Sequence, residues 1–318
     1  MASLTQTLLS QISRLSLSQR KKLLDTLQAS QSGESAVALI ESSRPGKSNC
    51  PHCRTAGARP YGSASGLQRY RCISCRRTFN ALTGTPLARL RHKAKWLEYS
   101  QDLKDGLSVR KSAKRIGVHF NTTFRWRHRF LALPKTVKAR KLEGIAEADE
   151  TYFLESLKGC RRMPRKGRKR GGKAKKRGLS DEQVCVLVAR DRTGATTDHI
   201  MPQFNQEALR ITLGSALTED TVLVSDGSPV YRAFTAQAGI EHKALNLAAG
   251  VRVIDKAFHI QNVNAYHSRL KGWMAPFNGV STRHLDSYLG WKRLLERHSN
   301  TPKPEIFLSA ALRTSSIQ

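Results

Sequence analysis

The sequence predicts an α/β core preceded by a small metal-held ribbon and a helix-turn-helix. Two CxxC pairs stand near the N-terminus, a basic and aromatic helical hairpin follows them, and from about residue 144 short β-branched or apolar runs alternate with amphipathic helices. That last texture is an α/β order. The chain has 318 residues, with 55 Lys+Arg against 24 Asp+Glu and a formal net charge of +31. Its pI is about 10.6 and its mean hydropathy −0.47. Hydrophobic residues at 39% suffice for a real core, which excludes a wholly disordered chain. The excess of positive charge calls for a polyanionic partner, and nucleic acid is the simplest one. No apolar run approaches the roughly 20 residues of a membrane span. Residues 1–30 lack a secretory pattern, so neither export nor a membrane is expected.

In chain order, residues 1–47 form an N-terminal segment. Leu4, Leu8, Ile12 and Leu15, then Leu23, Leu24 and Leu27, recur at helical spacing. They predict one or two short helices docking on the body, and residues 31–48 read as a weak apolar patch ending in a Pro-Gly linker. Residues 48–82 read as a zinc ribbon. Cys50 with Cys53 and Cys72 with Cys75 can close a tetrahedral sulfur shell around one ion, with a hairpin near Leu67–Arg71 between them. So short a stretch has no self-sufficient core, and the metal would supply its folding energy. Neither pair lies in the βαβ context of a redox motif. Arg69, Arg71, Arg76 and Arg77 interleave with Tyr61, Tyr70 and Phe79, which suits contacts to phosphates and sugars.

Residues 83–140 read as the helix-turn-helix region. Ser108 is an N-cap, Ala113 and Ile116 give the first helix an apolar face, and Gly117 permits the turn. Residues 121–130 form a second helix sized for a major groove, carrying Arg125, Arg127 and Arg129. Residues 141–300 form the core. Strands are expected at 144–156, 184–192, 195–201, 221–227 and 242–246, and helices at 205–217, 228–238, 259–274 and 281–298. Residues 158–178 hold 12 basic residues and no acid, Lys166, Arg168, Lys169 and Arg170 among them. This insertion reads as a flexible loop that strengthens DNA binding by releasing counterions. Residues 301–318 read as a tail.

Two acids stand in strand contexts: Asp149 within AEADETYF and Asp226 at the end of VLVSD. A carboxylate among apolar residues costs free energy unless it is paired, so each asks for a reason. If their strands are neighbours, the two meet at one edge of the sheet and offer oxygen ligands to hard divalent ions. Glu147 shares the Asp149 side of its strand, whereas Glu150 points the other way.

The zinc ribbon, the helix-turn-helix, DETYF, SDG and HIQNVNAYHSRLKGWM together resemble a bacterial insertion-sequence transposase with an N-terminal zinc ribbon and a DD(E/N/H)K core. The resemblance spans roughly residues 48–298 and implies a ribonuclease H-like fold with Asp149 and Asp226 as ligands of Mg²⁺ or Mn²⁺. His259, Ser268 and Lys271 match the motif on the last helix, and Asn264 stands at the third-ligand position in place of Glu. Asn is a neutral oxygen ligand that holds a divalent ion less tightly than a carboxylate. Asn264 and Lys271 lie two helical turns apart and share one face with His267. The resemblance further implies hydrolysis at the transposon ends, strand transfer into target DNA, and at least a homodimer on double-stranded DNA at the nucleoid of a bacterial cytoplasm. The alternatives are a zinc-dependent DNA-binding regulator and a decayed copy that binds without cutting.

Overall fold

The structure, a computed structural model, describes residues 6, 11–12, 15–43, 49–169, 171–175, 180–300 and 303–313. The chain divides into two compact units, residues 1–133 with 302–318 and residues 134–301.

The first unit begins with α1 (Leu17–Ser42), opened by a reciprocal capping box between Ser16 and Gln19. This one 26-residue helix runs through the second short helix and the patch expected; ahead of it Gln6, Gln11 and Ile12 are helical, while Leu4, Leu8 and the Pro45-Gly46 dipeptide lie outside the described residues. The docking stripe also differs. Leu24 and Leu27 are exposed, and Ala36 and Ile40 are buried instead. Small residues let the backbone approach its neighbour: a Cβ on Gly33 would sit 2.9 Å from the Cβ of Ala94.

The ribbon is a three-stranded antiparallel sheet of β1 (Ala58–Ala64), β2 (Leu67–Cys72) and β3 (Thr78–Phe79). Beyond it lie α2 (Trp96–Lys104), α3 (Val109–Ile116) and α4 (Phe120–Phe130). Ser108 caps α3 through the Lys111 N–H, and Gly117 ends it in the left-handed conformation, φ 69°. Trp96, Tyr99, Trp126 and Phe130 pack edge-to-face in the centre. Where a tail is expected, residues 304–312 form a helix whose Phe307, Leu308, Ala311 and Leu312 are buried in this unit.

The second unit contains β4 (Ile145–Leu154), β5 (Gln183–Asp191), β6 (Thr196–Met201), β7 (Val222–Ser225) and β8 (Glu241–Ala244) in the order β6-β5-β4-β7-β8. β5 runs antiparallel to both its neighbours, whereas β4, β7 and β8 are mutually parallel. This mixed sheet has the ribonuclease H-like arrangement. Gly194 makes the β5–β6 turn at φ 94°, with the Thr193 and Ala195 N–H groups donating to Asp191 Oδ1.

Helices cover both faces of the sheet. Ala146, Ala148 and Leu187 face α5 (Gln206–Leu213) and α6 (Pro229–Ala238) through Leu209, Tyr231 and Phe234. Val186, Val188 and Val224 face α7 (Gln261–Met274) and α8 (Leu285–Arg297) through Val263, Tyr266, Leu270 and Leu289. The first half of the basic insertion is anchored at three of its described cations. Arg165 Nη2 donates to Glu155 Oε2 at 3.0 Å, Arg168 donates to the Glu155 carbonyl, and Lys158 Nζ donates to the Gly279 carbonyl at 3.0 Å. Acids and carbonyls flanking the insertion give its cations partners that its own composition lacks.

Candidate active site and metal centre

β4 is the central strand, and its parallel register with β7 pairs Ile145 with Val222, Ala146 with Leu223 and Glu147 with Val224. Two residues further, that register sets Asp149 level with Asp226, just past the end of β7. Val188, the cross-strand partner of Asp149, packs against α7, so Asp149 faces α7. The Asp226 carboxylate is fixed by the Ser228 N–H, 3.1 Å from Oδ1. Ahead of it, Ser225 is buried with Oγ 2.9 Å from His242 Nε2 of β8.

Helix α7 brings Asn264, His267 and Lys271 to this face. His267 Nδ1 lies 3.6 Å from Asp149 Oδ2. Burial, and then the neighbouring Lys271 charge, pull the imidazole down to about 4, so it is neutral at neutral pH. Burial pushes Asp149 up to about 6; the Glu150 backbone N–H opposes that, the Asp226 charge adds to it, and Lys271 opposes it. A buried carboxylate whose proton affinity is raised by burial and by a second carboxylate beside it makes a site where a cation is favoured. Asn264 is exposed and lies one turn ahead of His267 on α7. Among the described residues, no three His, Asp or Glu ligand atoms here lie within 4.8 Å of one another.

Glu147 does something the sequence hides. It is fully buried, and its Oε2 accepts from the Val263 N–H at 2.9 Å while Oε1 accepts from Asn262 Nδ2 at 2.8 Å. Arg192 Nη1 lies 2.9 Å from Oε1, and His259 Nδ1 3.4 Å. Ile260 offers α7 no side-chain cap. A strand carboxylate therefore satisfies the helix N-terminus, where a negative charge is favoured. Asp149 and α7 are thereby tied to one strand. Glu150 takes the opposite face, as expected, and receives the buried Tyr231 hydroxyl. Burial pushes Glu150 up to about 7, the Tyr231 hydrogen bond opposes that, and Asp149 and Asp226 reinforce it.

In the ribbon, Cys50, Cys53, Cys72 and Cys75 bring their sulfurs within 4.8 Å of one another. The Cys50–Cys75 and Cys53–Cys72 separations are both 3.6 Å. Zn–S bonds of about 2.3 Å would place tetrahedral sulfurs about 3.8 Å apart. In each knuckle a backbone N–H points back at the first sulfur, His52 N–H at Cys50 Sγ and Cys75 N–H at Cys72 Sγ, both at 3.4 Å. Arg54 and Arg76, which follow the second cysteine of each pair, have φ 61° and 57°. Hydrogen bonds from Thr55 draw the Cys53 thiol down to about 6, toward the ligating thiolate. The four thiols fit a structural zinc.

The basic residues separate into two groups. Arg76, Arg77, Arg125, Arg129, Lys166 and Lys169 are exposed. Arg69 and Arg71 are half-buried and both lie over the Tyr61 ring. Arg168 is held at Glu155, and Arg170 lies outside the described residues. Arg127 is a correction. It is fully buried, donating from Nε to Tyr99 Oη at 3.1 Å and from Nη2 to the Leu107 carbonyl at 2.7 Å, so it presents nothing to DNA. Thr123, Trp126, Arg127 and Phe130 form the inward face of α4, and that helical spacing is the signal that separates Arg127 from Arg125 and Arg129. For Glu147, Arg192 and Tyr231 the sequence offers only an acid in an apolar strand.

Residues 141–291 match the ISXO2-like transposase domain, and residues 87–135 match a homeodomain-like domain. An uncharacterized protein in transposable element ISH50 of Halobacterium salinarum is 29% identical over 248 residues, 76% of this chain and 82% of that one. Among solved structures, a chain of the simian T-cell lymphotropic virus intasome in complex with PP2A regulatory subunit B56 gamma is 9% identical with a TM-score of 0.29, covering 61% of this chain and 66% of that one. A chain of a pre-cleavage Mos1 transpososome is 12% identical with a TM-score of 0.20, covering 68% and 76%. Likenesses that distant carry no argument. No helix among the described residues is long and apolar enough to cross a membrane. The ISXO2-like transposase domain at 141–291, the homeodomain-like segment ahead of it and the transposable-element relative together support an insertion-sequence transposase family.

Proposed function

We propose that this protein binds the terminal inverted repeats of an insertion sequence and catalyses divalent-metal-dependent DNA cleavage and strand transfer. The observation that supports this most is the register that sets Asp149 level with Asp226, on the face where α7 carries Asn264 and Lys271. Asp149, Asp226 and the Asn264 amide oxygen are the donors that would hold Mg²⁺ or Mn²⁺, a hard-oxygen set suited to those ions. Such ions, when bound, activate the attacking oxygen and stabilise the leaving one. The protein's own groups supply the rest. Lys271 holds a DNA phosphate against the acids, Glu147 fixes α7 relative to β4, and neutral His267 orients the Asp149 carboxylate.

The helix-turn-helix and the ribbon recognise the ends, with Arg125 and Arg129 on the exposed side of α4 and Arg76 and Arg77 on the second knuckle. Cleaving two ends in concert requires at least a homodimer on DNA. The test is a cleavage and strand-transfer assay with Mg²⁺ or Mn²⁺ on duplex DNA bearing the element's ends. Wild type should yield joined product, and Asp226→Ala should lower the yield at least 10³-fold. Equal yields would refute the reading. End binding without product from wild type would favour the non-cutting alternative, in which Asn264 has replaced a needed charge.

A further inference from the structure

A cavity of about 580 Å³ opens beside Lys271, within the roughly 300–1,000 Å³ range of ligand pockets. It lies entirely within residues 134–301. Phe153 of β4, Met163 of the insertion, Met274 of α7 and Leu285 of α8 give it an apolar lining. Lys158, Arg165, Arg168, Lys169 and Lys271 surround that lining, against one carboxylate, Glu155. The wall is built rather than incidental, since Lys158 is tied to Gly279 and both Arg165 and Arg168 to Glu155.

An apolar lining inside a cationic rim matches one nucleotide of an unpaired strand. The base offers a face that every sequence shares, and the flanking phosphates offer the charge. A free anion would leave the apolar lining unused, and a neutral apolar ligand would leave the rim unused. Lys271 belongs both to this cavity and to the face carrying Asp149. We propose that the cavity receives one unpaired nucleotide next to the phosphate held at Lys271. The basic insertion then has a more specific role than adding charge, because it forms one wall of a nucleotide site. Extruding a base has a cost that is smallest where the strand is already unpaired, so the site favours frayed or nicked ends over intact duplex. The proposal deepens the transposase reading and relies on it only for the phosphate at Lys271.

The test measures fluorescence anisotropy of the full-length zinc-loaded protein, without added divalent ion, against a labelled dT octamer and an abasic phosphodiester octamer of the same length. Wild type should bind the dT octamer roughly 10-fold more tightly than the abasic one. Met163→Ser removes apolar lining, and Ala275→Ile fills space at the rim. Both positions are exposed, so both variants should fold. Each should lower dT binding at least 5-fold and leave abasic binding within 2-fold. Equal binding of the two octamers by wild type, or a preference that survives in both variants, would overturn the proposal. Asp226→Ala should keep the preference while losing cleavage, so failure of the nucleotide site and failure of the transposase reading are told apart.

Discussion

Glu147 and Asp149 stand two residues apart on one strand and face the same helix, yet their chemistry differs. Glu147 is consumed by structure: Asn262 and the Val263 N–H at the start of α7, and Arg192 from the β5–β6 turn, occupy its carboxylate. Glu147→Ala should cost about 3–5 kcal/mol in denaturant unfolding, because it leaves Arg192 and two helix donors without their carboxylate. Glu147→Gln should stay folded but cut more slowly, since α7 and its Asn264 and Lys271 lose a fixed anchor. Glu150 sets the pH behaviour. Its native proton is held to about 7 against an ordinary value of 4.5. Between those values the native state therefore binds the proton that the unfolded chain releases, and the metal-free protein loses stability as pH rises from about 4.5 to 7. Glu150→Gln should remove its share of that loss, on the order of 1–3 kcal/mol, and leave the smaller loss below about pH 6 that the raised Asp149 contributes, as read from denaturant midpoints at about pH 5 and pH 7.5. The acids at 147, 149 and 150 were legible as an anomaly in an apolar strand. Their division of labour was not, because the partners of Glu147 lie 45 to 116 residues away.

At the scale of elements, what is local was readable. The two CxxC knuckles, the Ser108 cap, the Gly117 stop and the Thr193-Gly194 turn each follow from a few adjacent residues, and each stands where the sequence places it. The sequence poses the pairing of β4 with β7 as a condition, through one mid-strand and one strand-end acid that would share a purpose, and the two strands do pair. What depends on distant neighbours was hidden. The leucines of α1 read as its docking face, but the close approach at Gly33 selects Ala36 and Ile40. The charge of Arg127 gave no sign of the Tyr99 and Leu107 oxygens that bury it. Arg127→Ala should therefore lower the thermal midpoint of the DNA-binding unit, whereas Arg129→Ala should leave the midpoint unchanged and weaken duplex binding. Melting curves and anisotropy on the two variants check this contrast. In the ribbon, a chelator should abolish hydrogen-exchange protection across residues 49–80 and leave β4 and β5 protected, because only the ribbon lacks a core of its own.

Across the whole molecule, a net charge of +31 makes DNA binding an ionic-strength problem. Six to ten phosphate contacts imply a loss of roughly 10³–10⁵ in duplex affinity between about 50 and 200 mM salt. A much flatter dependence would mean that few of the exposed cations reach phosphate. The acids are concentrated differently: Asp149, Glu150 and Asp226 stand near one another in a strongly basic protein, where the Asp226 charge adds to the raised proton affinity of both Asp149 and Glu150. That arrangement is unfavourable without a cation and favourable with one. The most direct measurement is therefore a Mn²⁺ titration of the zinc-loaded protein, with free Mn²⁺ followed by electron paramagnetic resonance, comparing wild type with the Asp149→Asn/Asp226→Asn double variant. The structure predicts Mn²⁺ uptake by wild type that is lost in a folded double variant. Identical uptake by the two would contradict the metal site on which the account rests.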